Sequence, residues 1–142
     1  MPTVKRTVKK PSAKLAGAVF DDVSFARAKL SNVTLAGVTV DDADASAAKA
    51  RNVKLDGATL DDASAKGATL RDVTFEGSTI DDASFAASTF TNVSFAGARF
   101  SDISLRGAKL DDVDLEGVSI ENANVRGLVI DGVRIDELLA KA

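Results

Sequence analysis

The chain has 142 residues, a length that suits one domain, and contains no Cys, His, Trp or Tyr. Disulfides, thiolate metal sites and a cysteine nucleophile are thereby excluded, and the commonest general base is missing. The net charge of −3 is unevenly placed: residues 1–12 hold Lys5, Arg6, Lys9 and Lys10 and no acid, leaving 14 bases against 21 acids, a net −7, on the remainder.

Taken in chain order, "MPTVKRTVKKPS" at 1–12 reads as a basic, solvated, disordered leader. "LAGAVF" at 15–20 is shorter than a signal-peptide core, and no apolar run approaches the ~18 residues of a membrane span. The expectation is a cytoplasmic protein without membrane contact. An acidic body does not suggest direct nucleic-acid binding. No cofactor, metal or catalytic residue is expected.

From Ala13 the chain falls into consecutive five-residue units without a break in frame: AKLAG, AVFDD, VSFAR, AKLSN, VTLAG, VTVDD and onward to VRIDE at 133–137. The third position is nearly always Leu, Phe, Ile or Val, and the first is mostly Ala, Val or Ser. Neither 3.6 nor 2 explains a period of five. First and third positions are two apart, so in extended chain both point inward and the second points to solvent. The fourth and fifth positions then turn a corner. A second period sets the number of sides: Gly17, Gly37, Gly57, Gly77, Gly97 and Gly117 recur every 20 residues, as do Asp22, Asp42, Asp62, Asp82 and Asp102. Four units per coil predict a square solenoid whose coils pair as parallel strands ~4.8 Å apart. Residues 18–137 supply six coils, and Asn32, Asn52 and Asn92 stack as a corner ladder of amides.

"AKLSN", "ATLRD", "AKLDD" and "VDLEG" resemble the units of pentapeptide repeat proteins. The resemblance covers residues 13–137 and implies an all-β fold, a right-handed quadrilateral β-helix of about six coils of 20 residues. One departure concerns the second position, often Asp or Asn in the family and here mostly Thr, Ser or Lys. That position faces solvent, so the departure bears on partner choice rather than fold.

Three interior third positions hold alanine: Ala45, Ala50 and Ala65. The coils are expected to close in there, or Phe75 and Phe85 to fill the space. At the C-terminus "DELLAKA" predicts a short cap helix with Asp136 as its N-cap. The cap itself is placed at 138–142, with Leu138 and Leu139 over the last coil. The alternative is a homodimer contact, which the family often makes through this end. Val129, apolar at an outward position, favours some contact there.

Sorted by side, the outward residues concentrate acid on one face: Asp21, Asp22, Asp41, Asp42, Asp61, Asp62, Asp81 and Asp82, then Asp102 and Glu121, against Arg99 alone. Two carboxylates per ~4.8 Å step approach the linear charge density of duplex DNA, one per ~1.7 Å. Fifth-position Asp has a structural reason, since Asp favours turns by bonding nearby amides; fourth-position Asp has none of that kind. Turn chemistry on a solvated face competes with a DNA-mimic surface and with weak Ca²⁺ sites. Carboxylate catalysis needs a cleft and unlike environments, which identical repeats do not offer. Thr39, Thr59 and Thr79 read as β-favouring surface residues. The reading is a non-catalytic protein–protein interaction module. The alternative implied by the family is a DNA mimic that binds a type II topoisomerase, DNA gyrase.

Overall fold

A computed structural model describes residues 7–8, 13–14 and 17–141 of the chain. The leader's Lys5, Arg6, Lys9 and Lys10 lie outside them, as does most of the stretch expected to be disordered. Within it, Thr7–Val8 is a strand beside Lys29–Leu30.

The period of five folds as its spacing requires. Strands bend around corners and stack in register on the residue 20 positions on, as in Phe20↔Val40, Val40↔Leu60 and Leu60↔Ile80. Two parallel sheets result. One runs through Val19–Ser24, Thr39–Asp44, Thr59–Ser64, Thr79–Asp81, Arg99–Ser101 and Ser119–Glu121. The other runs on the opposite side through Lys29–Thr34, Lys49–Lys54, Thr69–Thr74, Thr89–Ser94, Lys109–Asp114 and Val129–Ile130.

The four corners are of two kinds. After the second and fourth sides the chain makes a hydrogen-bonded turn, such as Ala58 N–H to Leu55 C=O at 3.1 Å or Ala68 N–H to Ala65 C=O at 3.1 Å. Its third residue has φ near +65°, as at Gly57 and Gly67, the backbone of a type II turn. After the first and third sides the corner lies within a strand, and its left-handed residue is Asp or Asn: Asp42 at φ 50°, Asn52 at 54°, Asp62 at 51°. These residue types tolerate that conformation best after glycine. The 20-residue alternation of Gly with Asp and Asn is therefore an alternation of corner types.

Interior packing differs along the rod. Phe85, Phe90, Phe95 and Phe100 come from four successive sides and meet across the axis. Phe95 stands 5.5 Å from Phe90, 5.2 Å from Phe100 and 5.0 Å from Phe75, ring centre to ring centre. All five rings are buried. Ser78 and Ser88, at interior first positions, are buried too, and each donates to a turn carbonyl one coil back, Leu55 at 2.8 Å and Ala65 at 2.6 Å.

Before this plug the interior is hollow. Ala45 and Ala65 stack between Phe25 and Phe85, and a cavity of about 350 Å³ opens beside them. The coils do not close in: Phe85 lines the cavity without filling it, and Phe75 is engaged with Phe95. Ala50 is partly buried and packs against the core outside the cavity wall. At ~24 cal/mol per Å³ of void, about 350 Å³ left wholly empty sets an upper bound on the order of 8 kcal/mol. That is comparable with the ~5–15 kcal/mol net stability of a whole domain.

The last unit departs from the frame. Val133–Arg134 does not add a fourth side to the sixth coil; it folds back antiparallel onto Val129–Ile130. Asp131 and Gly132 form the two-residue loop, both with positive φ, 48° and 81°. "IDGV" carries the Asp-Gly hairpin signal, which overrides the period of five here. The helix runs Ile135–Ala140, earlier than 138–142, and its N-cap is Arg134 rather than Asp136. Asp136 instead ties the helix to the rod, accepting from Gly127 N–H at 2.9 Å while Arg134 grips it with two donors. Leu138 and Leu139 are exposed rather than laid over the last coil, and Val129 is partly buried in the hairpin.

Candidate functional site

The acidic residues named from sequence share one long edge of the rod. The fourth-position ladder runs Asp21↔Asp41↔Asp61↔Asp81 in strand register and continues through Ser101 to Glu121. The fifth-position ladder, Asp22, Asp42, Asp62, Asp82 and Asp102, follows at the corner. All nine aspartates are exposed.

The two ladders face different ways. Asp42, Asp62, Asp82 and Asp102 lean over a shallow groove on the adjoining side, with Asp44, Ser64, Lys66, Ser84 and Asn124 among its other walls. Asp41, Asp61 and Asp81 are outside this groove. Sequence reasoning had not placed Asp44, Lys66 or Asn124 with the ridge. The signal was present in their positions, the second and fourth of the units that directly follow Asp41-Asp42, Asp61-Asp62 and Glu121-Asn122.

The expected amide bonds from fifth-position Asp are not the reason for these residues. Among the described residues, no side-chain hydrogen bond or ion pair engages Asp42, Asp62 or Asp82, nor Asp41, Asp61 or Asp81. The fifth-position carboxylates are there because their backbone is left-handed. The fourth-position ones have neither that backbone nor a hydrogen bond to explain them.

Stacked like charges leave an electrostatic mark. Local desolvation, then the charges of Asp22, Asp62, Asp21 and Asp41, raise the Asp42 carboxyl above its ordinary value. Asp44 moves the other way, because the Ser46 hydroxyl and amide stabilise its charged form.

On the opposite sheet the stacked pairs are cationic, Lys29↔Lys49 and Arg51↔Arg71. The amide ladder there is made in two pieces, Asn52 donating to Asn32 at 2.6 Å and Asn92 donating to Asp72 at 2.7 Å. Thr39, Thr59 and Thr79 align as an exposed row. Among the described residues, no group of three or more acidic side chains is arranged to hold a metal ion, and no helix is long and apolar enough to cross a membrane.

A solenoid of five-residue sides with this ridge defines a repeat-protein class, and comparison with known families places the chain in it. The model for a pentapeptide repeat region matches residues 11–85, and that for pentapeptide repeats matches 68–107 and 81–127. The chain belongs to the pentapeptide repeat family, and its fold is the family's right-handed quadrilateral β-helix.

Solved structures similar to it include a pentapeptide repeat protein from the cyanobacterium Cyanothece 51142, at 18% identity over 84% of this chain and 88% of that one, with a TM-score of 0.33. Another is from the Arabidopsis thaliana thylakoid lumen, at 22% identity over 68% and 70%, with a TM-score of 0.39. A third is QnrB1, a plasmid-mediated fluoroquinolone resistance protein, at 15% identity over 99% and 94%, with a TM-score of 0.39. No curated protein matches the chain.

Proposed function

We propose that this protein is a non-catalytic, cytoplasmic interaction rod whose acidic edge mimics DNA and docks in the basic DNA-binding groove of a type II topoisomerase, DNA gyrase. The observation that carries the reading is the fourth-position ladder. Asp21, Asp41, Asp61 and Asp81 are exposed and in register, in a place where the backbone asks for no aspartate. The three neighbouring pairs in this ladder, at ~5 Å, repel by ~1 kcal/mol per pair even at water's dielectric. A fold that needed only solubility would intersperse the signs. A cationic partner groove relieves the repulsion, and the rod's field steers the encounter.

The ladders separate function from folding. In a gyrase supercoiling assay the native protein is expected to inhibit, or to protect gyrase from a quinolone. Asp41→Asn, Asp61→Asn and Asp81→Asn together are expected to weaken that effect at least tenfold, and rising salt to weaken it further. No effect of the native protein at concentrations well above micromolar overturns the gyrase assignment. An effect that the triple variant retains overturns the ridge as its site.

A second contact is carried by the C-terminal end, where Ile120, Val133, Leu138 and Leu139 are exposed together with no cover among the described residues. A second copy joined end to end would bury them. Sedimentation is expected to show a dimer that Leu138→Glu with Leu139→Glu converts to monomer; a native monomer at high concentration rejects this contact.

A further inference from the structure

The cavity inside the first coils has no place in an interaction surface. It is bounded by Phe20, Phe25, Leu30, Val40, Leu60 and Phe85, with Ala45 and Ala65 where the other coils carry larger side chains. Its wall is carbon almost throughout, Ser64 being the one polar residue that borders it. The volume, about 350 Å³, is more than twice that of the ~150 Å³ apolar cavity that stays dry and takes up benzene or xenon. It also falls within the ~300–1,000 Å³ of ordinary ligand pockets.

Exposure of most of the lining residues is consistent with this space. Of the interior third positions in the first coils, Phe20, Phe25, Leu30, Val40 and Leu60 are only partly buried, while Leu35 is buried. Their counterparts from Phe75 to Leu110 are fully buried. Phe85, which packs on Phe90 of the aromatic plug, borders the cavity toward the C-terminal coils. The lining runs from Phe20 in the first full coil to Phe85 in the fourth, three steps of ~4.8 Å, so the space reaches across several coils along the axis.

We propose that this cavity is a binding site for a linear, uncharged hydrocarbon chain. A charged or hydrogen-bonding ligand would find no partner in the wall, and burying such a group unpaired is unfavourable. A compact ring system would leave the length of the space empty. Each methylene that enters gains contacts with a wall that otherwise faces a void. This inference is independent of the acidic edge and stands or falls separately.

The test uses the full chain with n-decane as probe and sodium decanoate as the charged control. Saturating decane, at ~100 times its Kd, is expected to raise Tm by roughly 5–10 °C, and decanoate to do much less. Ala45→Leu with Ala65→Leu places in this column the residue found at Leu105. The filled variant is expected to have a higher Tm than the native protein and to lose the response to decane. Xenon taken up by the native protein, followed by xenon NMR, reads the cavity without any mutation. Absence of a decane shift in the native protein overturns the proposal, whether or not xenon enters. So does a decane shift that the filled variant keeps, because the hydrocarbon would then bind elsewhere.

Discussion

Ala47 and Ala87 hold φ of 59° at the turn position occupied by Gly67, Gly107 and Gly127 in other coils and by Arg27 in the first. A side chain in the left-handed region costs roughly 1–2 kcal/mol. Ala47→Gly and Ala87→Gly are each expected to stabilise the rod by about 1 kcal/mol, with the greater flexibility of glycine in the unfolded chain offsetting part of the gain. Chemical denaturation midpoints check this, and a loss of stability in both variants would contradict the corner geometry. The same argument explains why fifth-position Asp and fourth-position Asp, adjacent in sequence, are different objects. Asp42 and Asp62 satisfy a left-handed backbone, whereas Asp41 and Asp61 lie in extended strand and contribute only their charge.

At the scale of elements, one carboxylate adds to the strand pairing that holds the C-terminal hairpin and helix on the rod. Arg134, and then the amides of Gly127 and Glu137, hold Asp136 far below the ordinary 3.8. Its folded-state pKa is depressed, so it stabilises this end at any pH above its unfolded value. That contribution is lost as pH falls from about 4 toward the folded value. Hydrogen exchange at the Gly127 and Ile135 amides is expected to accelerate as pH falls through this window, after correction for intrinsic rates. In Asp136→Asn the same amides should exchange faster already at pH 7 and gain little further with acid. Unchanged protection in the variant would show that the hairpin is held by its strand pairing alone. Asp42, with a raised pKa, works in the opposite direction: the repulsion it carries is complete above its folded value and is relieved on acidification.

The first coils are polarised across their width, with stacked aspartates on one sheet and Lys29, Lys49, Arg51 and Arg71 on the other, whereas the strand Lys109–Asp114 is acidic too. Like charges are neighbours along each column, and the favourable cross-rod pairs are far apart. Screening therefore removes more repulsion than attraction. Tm is expected to rise by a few degrees between ~10 mM and ~150 mM salt, as the Debye length shrinks from ~30 to ~8 Å. The Asp41→Asn, Asp61→Asn and Asp81→Asn variant should start higher and rise less. A native Tm that falls with salt would mean that cross-rod attraction outweighs repulsion within the columns.

The sequence by itself determined the coil. A five-residue period with small and large apolar residues two apart admits one arrangement of short sides and corners, and the 20-residue recurrence of Gly and Asp sets four sides per turn. These are local and nearest-neighbour constraints, which a repeat writes many times over. Tertiary structure decided what depends on distance across the rod or on competition at its end. Alanine at positions 45 and 65 announces missing volume. Whether the coils contract or a cavity remains depends on the stiffness of the backbone ladders and on Phe75 being engaged with Phe95. In the same way, "IDGV" fits the repeat frame and a hairpin equally well as written. The strand Val133–Arg134 turns back on Val129–Ile130 instead of stacking on Val113–Asp114 one coil earlier, because the Asp-Gly loop reverses the chain.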